Sequence, residues 1–235
     1  DKLDDLILIK GKLEKKVSET ENIDTIINEE KKRLVELELL LNELSKKISQ
    51  QRKKVIPVLK SKMEKLLKDM GMVNTSFKIE LYDSDIFLSK GRDKLLFNFS
   101  ANKGGPLGPL SKTASGGELS RIMLALKSIL SNYKNLPTII FDEIDTGVSG
   151  EIANCIGRIM KSMSINMQVI SITHLPQVAA KANNHLKVFK KTRNDRTSTE
   201  LKNLNFNERV SEIAEMLSGD ESAVSAYDLA KELLN

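Results

Sequence analysis

The chain has 235 residues, 29% of them charged and 4% aromatic, with no Trp and a single Cys. That length holds one or two domains; the lone Cys155 excludes an internal disulfide framework, and no apolar stretch approaches the length of a membrane span. The net charge of +5 permits nucleic-acid binding without requiring it.

Taken from the N-terminus, every seventh residue from Leu6 reads Leu6, Leu13, Thr20, Ile27, Leu34, Leu41, Ile48, Val55 and Lys62, and seven of these nine are apolar. Ile9, Ile23, Leu37, Leu44 and Val58 fill companion positions three residues later. A heptad stripe sustained this long predicts a coiled-coil arm over residues 1–70, which needs a partner strand, and a globular lobe over 71–235. The low aromatic content suits such an arm. Pro57 lies inside the pattern, where it is expected to kink or break the helix. Beyond the arm, Phe77, Ile79 and Leu81, then Leu95, Phe97 and Phe99, alternate around Lys90-Gly91-Arg92-Asp93, predicting an antiparallel strand pair.

After Asn102-Lys103-Gly104-Gly105-Pro106 the chain reaches Ser115-Gly116-Gly117-Glu118 and a helical run through Leu119, Ile122, Met123, Leu126, Ile129 and Leu130. A Ser-Gly-Gly turn at a helix N-terminus offers free N–H groups and the positive end of the helix dipole to an anion, and glycines admit phosphate oxygens close to the backbone. On its own the motif also reads as an ordinary Ser cap, with Glu118 completing a capping box. The next segment favours the first reading. Leu136–Phe141 has the composition of a strand buried on both faces of a parallel sheet, and Asp142 and Glu143 stand at its C-terminal end, where open α/β sheets bind ligands. Asp142 suits Mg²⁺, often through water, and Glu143 can orient or deprotonate an attacking water.

Asp145-Thr146-Gly147-Val148-Ser149-Gly150 is a turn-rich loop leading into a helix over 151–163. Gln168–Thr173 predicts a second buried strand, with His174 at its end, able to donate to a phosphate or hold a water. His185, heading the next strand-like run, reads as a structural histidine, and Cys155 as a small core residue. Residues 185–191 and 197–204 predict two further strands, and 207–217 and 221–234 two closing helices. Lys10, Lys12, Lys15 and Lys16, or Lys187, Lys190, Lys191, Arg193 and Arg196, can meet phosphates, although such runs are more often solvated faces. No lysine has the Gly-x-x-x-x-Gly-Lys setting of a phosphate loop, so the chain alone is expected not to hydrolyse ATP.

The order of these motifs resembles the ABC-type ATPase heads of the structural-maintenance-of-chromosomes superfamily. The residues carrying the likeness are Ala114–Arg121, Phe141–Gly150, Thr173–Ala180, Arg209–Gly219 and Ala230–Leu234. The resemblance implies an α/β fold: the C-terminal lobe of an ABC-type head with a parallel sheet, preceded by a long coiled-coil helix. It implies ATP and Mg²⁺ as cofactors and a role in DNA double-strand-break repair and recombination. Ser115, Gly116, Gly117 and Glu118 become the signature that contacts ATP held by the opposing subunit. Asp142 becomes the Walker B aspartate, Glu143 the catalytic glutamate, Asp145 the D-loop residue and His174 the switch histidine. Gln177 is not the Q-loop glutamine, which precedes the signature in such heads. The implied partners are an N-terminal half carrying Walker A, a second head in a homodimer, and DNA, with no membrane, in a bacterial cytoplasm near the nucleoid. The chain lacks an initiator Met, so its natural start is expected upstream. Two other readings are a non-enzymatic coiled-coil interaction module, disfavoured by the intact motif set, and a transporter ATPase, which a heptad arm does not normally precede.

Overall fold

A computed structural model describes residues 2–133, 136–142, 144–193, 196–218 and 224–235, with the side chains of 21, 193, 196 and 224 outside that description. Glu143, the expected catalytic glutamate, falls outside the described residues, as do Gly219 and the first residues of the helix expected from 221.

Helix α1 runs from Lys2 to Asp69 as one 68-residue element, continuous through Pro57. The expected break does not occur, because proline removes one intrahelical bond and the turns on either side retain theirs. Strands β1 (Ser76–Leu88) and β2 (Gly91–Ser100) follow, and a two-residue connection allows only an antiparallel pair. β3 (Gly108–Pro109) pairs antiparallel with β2. After a single turn, α2 (Leu110–Thr113), come α3 (Gly116–Ser131), β4 (Thr138–Asp142), α4 (Gly150–Met163), β5 (Gln168–Ile172) and α5 (Pro176–Ala180). β6 (Leu186–Arg193), β7 (Arg196–Asn203), α6 (Phe206–Ser218) and α7 (Val224–Leu234) complete the chain.

Two compact units are present, one of residues 1–55 and 81–95, the other of 56–80 and 96–235. In the first, the heptad residues of α1 are exposed, among them Leu6, Leu13, Leu34 and Val55. The same helix meets the hairpin tip through polar groups. Ser49 donates to Asp93 Oδ1 at 2.6 Å, Arg52 Nη1 to Asp93 Oδ2 at 2.7 Å, and Arg52 Nη2 to the Lys90 carbonyl at 2.8 Å. Ser45 accepts from the Arg92 N–H, and Arg92 reaches Asn42 Oδ1 and the Ser84 carbonyl. Gly91, at φ +103°, makes the turn that brings these groups together.

The second unit holds the main core. Met63, Leu67 and Met70 from the end of α1 pack with Phe77, Phe99, Ile122, Leu124, Phe141, Ile156 and Met163. The Phe77 and Phe99 rings lie 5.2 Å apart. Helix α1 ends in a Schellman motif: the Met72 N–H donates to the Leu67 carbonyl, and the N–H of Gly71, at φ +80°, donates to that of Lys68. A second cluster, built on Ala179, Ala180, Val210, Ile213, Ala214, Ala226 and Ala230, joins α5, α6 and α7, its small residues letting the helices approach closely. Arg209 of α6 donates to the carbonyls of Ala180, Ala182 and Asn183, satisfying the C-terminal end of α5.

β4 and β5 pair in parallel, from Thr138 opposite Gln168 to Asp142 opposite Ile172. Both strands were expected to be buried on both faces. Instead Phe141 is buried and Ile139 and Val169 are half-buried on one face, while Ile140, Ile170 and Ile172 on the other are 64%, 41% and 54% exposed. Only one face of this strand pair is covered, by the core around α3 and α4.

Two outcomes follow from these contacts. Gly71→Ala combines a left-handed φ with a Cβ that would lie 2.6 Å from Ile152 Cδ1, so urea unfolding of the complete protein is expected to register a loss of about 1–2 kcal/mol. The Ser49 hydrogen bond, with help from the Arg52 charge and against burial, holds the Asp93 carboxyl below its ordinary range. Its stabilisation is therefore fully present above about pH 4 and lost as pH falls through the lowered value. Protection factors of the hairpin-tip amides, corrected for the intrinsic pH dependence of exchange, should fall on that acidification in the wild type and be low at every pH in Asp93→Ala.

Candidate functional site

Ser115 caps α3. Its hydroxyl accepts from the Glu118 N–H at 3.4 Å, and Glu118 Oε2 accepts from both the N–H and the hydroxyl of Ser115 at 2.8 Å. The capping box is therefore formed, and Glu118 is occupied in holding the turn. Gly116 and Gly117 begin the helix behind it. Free N–H groups of the first turn then face outward at an exposed position, which is the arrangement an anion requires.

The turn does not stand alone. A Cβ built on Gly117 would lie 3.6 Å from the Thr146 carbonyl oxygen and 3.8 Å from Arg121 Nη1. The first turn of α3 thus lies close beside the loop that follows β4. That loop turns through a Val148 N–H to Asp145 carbonyl bond, with Gly147 at φ +76°.

Parallel pairing with this register puts the C-terminal ends of β4 and β5 side by side. Asp142 lies opposite Ile172, and His174 follows two residues later. Both side chains are exposed. Asp145 is not: it is 1% exposed, and Thr173 donates its hydroxyl to Asp145 Oδ2. The Leu175 N–H in turn donates to Thr173 Oγ1 at 3.0 Å. Thr173, just before His174, is therefore tied to the loop after β4 and Leu175, just after it, is tied to Thr173, while the Asp145 carboxylate is turned inward.

Sequence reasoning did not single out Thr173, Thr146 or Arg121. Thr173 reads as the last residue of a β-branched strand, and nothing local signals a partner 28 residues away. Arg121 Nε and Asp145 Oδ1 are buried without a hydrogen-bond partner among the described residues, and an interior group left in that state calls for a role. His185 stays outside the site, as expected. Burial first, and the Arg209 charge second, lower its pKa. Some of the lysines named from sequence are paired with carboxylates. Lys10 pairs with Glu14 and Lys15 with Glu19; Lys187 pairs with Glu212 and Glu215, and Lys191 with Glu200. Among the described residues no three His, Cys, Asp or Glu side chains are grouped to hold a metal ion, and no helix is long and apolar enough to cross a membrane.

A long helix leading into a lobe with a parallel strand pair, a capped glycine turn beside the post-β4 loop and a histidine beyond β5 is the fold of the C-terminal part of an Smc-type head domain. The fold is shared with the Smc head domain with a coiled coil and joint from Pyrococcus yayanosii, at a TM-score of 0.57 and 19% identity, over 75% of this chain and 32% of that one. No protein-family model matches the chain. It is 37% identical over 239 residues to DNA repair protein RecN of Halalkalibacterium halodurans, across 100% of this chain and 42% of the relative. It is 38% identical over 247 residues to DNA repair protein RecN of Bacillus subtilis, across 99% of this chain and 43% of the relative. The chain belongs to the RecN family, matches its C-terminal half, and spans about two fifths of the length of these relatives.

Removing the Ser115 hydroxyl takes away both the N-cap and one anchor of Glu118. Ser115→Ala is expected to cost about 1 kcal/mol, read as faster hydrogen exchange confined to the first turns of α3, whereas Ser115→Asp should retain the protection.

Proposed function

We propose that this chain supplies half of a composite ATP site in a complete RecN-type protein that acts in DNA double-strand-break repair and recombination. The observation that carries the reading is the closeness of the first turn of α3 to the post-β4 loop at Thr146, together with the side-by-side C-terminal ends of β4 and β5. It supports a reading in which a glycine turn, a carboxylate and a histidine serve one site.

In this reading Ser115, Gly116 and Gly117 bind the γ-phosphate of ATP held by the opposing head, and Glu118 keeps their turn in shape. Glu143 orients or deprotonates the attacking water, and His174 donates a hydrogen bond to the γ-phosphate from a position set by Thr173 and Asp145. Asp142 is an exposed carboxylate that in this reading would hold Mg²⁺ through water, the phosphates supplying the other ligands. Bound there through water, Mg²⁺ would neutralise charge on the phosphates. Most of the rate enhancement then comes from fixed donors and charges, as is general for phosphoryl transfer.

The lysine-bearing phosphate loop must come from elsewhere, and an N-terminal half of the same protein is the proposed source. Two exposed surfaces support that partner. One is the apolar sheet face of Ile140, Ile170 and Ile172; the other is the heptad stripe of α1. A dimer of heads would place two nucleotides between them, and DNA is the proposed substrate of the whole machine.

The test compares ATP hydrolysis by the complete protein, by this chain alone, and by this chain folded together with the N-terminal half. Turnover is expected in the first and third and absent from the second; turnover by the chain alone would overturn the reading. Glu143→Gln in the complete protein should lower turnover by about 100-fold or more with ATP binding kept. Gly117→Ala meets only ordinary van der Waals contacts, so stability should change by less than about 0.5 kcal/mol while turnover falls, because a methyl group then occupies the approach to the phosphate.

A further inference from the structure

Two polar groups of opposite kind are left idle inside the lobe. The Nε–H of Arg121, on α3, and Oδ1 of Asp145, in the loop after β4, are both buried, and neither has a hydrogen-bond partner among the described residues. Each carries the desolvation penalty of an unmet polar group, which a hydrogen bond removes. The guanidinium has only donors to offer, and the Asp145 carboxyl, which gives its other oxygen to Thr173, has an acceptor to spare.

The two elements that carry them approach each other. Helical side chains lean towards the N-terminus and reach the residue four positions back. Arg121 does so, with its Nη1 lying 3.8 Å from the point where a Cβ on Gly117 would stand. The carbonyl oxygen of Thr146, next in the chain to Asp145, lies 3.6 Å from that same point. A methyl group would fit there at ordinary van der Waals distance, so glycine leaves room for the loop to move in. The Arg121 guanidinium is also turned towards the positive end of the α3 dipole, where a cation is disfavoured. The neighbouring carboxylate, Glu118, is engaged with Ser115.

We propose that Arg121 is a positioning residue of the ATP site. When nucleotide engages the turn, the gap at Gly117 closes and the Arg121 Nε–H donates to Asp145 Oδ1. The start of α3 is then clamped to the loop that holds Thr173, and through Thr173 the clamp sets His174. This rests on the ATP-site reading above and adds a residue which that reading does not use. Head closure is the trigger because it presses on the lobe at the glycine turn and at the strand ends, the two places where that reading puts phosphates. A direct bond from Nε to phosphate fits less well: the Nε–H is buried, whereas nucleotide meets Ser115 and Gly116 on their exposed side.

The test uses the complete protein with Arg121→Gln, Asp145→Asn and both together. Asn keeps an acceptor for Thr173 but presents an NH₂ where Oδ1 stood, and two donors cannot bond. Urea unfolding without nucleotide should find the substitutions additive, because the pair is not formed there. With ATP, each single variant is expected to lower kcat by about 10- to 100-fold while ATP affinity stays within about twofold. The double variant should be no more than about twofold slower than the slower single one. Hydrogen exchange supplies a readout apart from turnover. Adenylyl imidodiphosphate with Mg²⁺ should slow exchange over residues 144–148 by about tenfold in the wild type and by less than about twofold in Arg121→Gln. That comparison decides the matter even where Asp145→Asn fails to fold.

Additive losses in kcat, or equal slowing in wild type and Arg121→Gln, overturn the clamp. Weaker ATP binding with unchanged kcat in Arg121→Gln would assign the guanidinium to phosphate and overturn it as well. A wild type that turns over ATP without any slowing of the loop overturns the clamp and leaves the ATPase reading intact. Slowing that depends on Arg121 in a protein without turnover counts against the ATPase reading and leaves the clamp standing, and a protein that binds no nucleotide overturns both.

Discussion

Parallel pairing of β4 with β5 is the constraint on which the lobe depends. Because the two strands run the same way and in register, whatever follows one emerges beside whatever follows the other. Asp142 and His174 share an edge for that reason alone, though 31 residues separate them in the chain. The crossover between the strands is α4, whose buried face of Ala153, Ile156, Ile159, Met160 and Met163 covers the strands from one side. One face of the pair is thereby closed, and the edge that bears the polar residues is left accessible.

Precision at that edge comes from the interior. The hydrogen bond from Thr173 to the buried Asp145 ties the loops after β4 and β5 to each other, and the Leu175 N–H to Thr173 bond extends the tie past His174. Gly117 at the start of α3 lies close beside the Thr146 carbonyl of the same loop. A displacement of the post-β4 loop would therefore be felt at both the glycine turn and the histidine. Arg121 Nε and Asp145 Oδ1, each buried and unpaired among the described residues, sit within this assembly and give it acceptor and donor capacity not used in the present arrangement.

Two apolar surfaces stay exposed, the heptad seam of α1 and the sheet face over Ile140, Ile170 and Ile172, and contiguous apolar surface of this kind marks a site of interaction.

Local pattern was enough for much of this. Heptads specified α1, alternation specified β1 and β2, and Ser115 with Glu118 specified the start of α3, because each depends on residues within a turn or two of one another. The polar residues at the strand ends were legible for the same reason, since apolar β-branched runs reveal where a strand stops. Partners distant in sequence were not legible: Thr173 with Asp145, Gly117 with Thr146, and Arg52 with Asp93 are brought together by folding, and no local spacing encodes them. The pairing of Lys187 with Glu212 and Glu215 likewise joins a strand lysine to carboxylates of a helix more than 20 residues away. Sequence by itself determined which elements form and which chemical groups the chain carries, through short-range propensity and periodicity. Only the tertiary structure decided which groups are neighbours, which are neutralised and which face of β4 and β5 is covered, because those depend on long-range packing and on the desolvation that packing imposes.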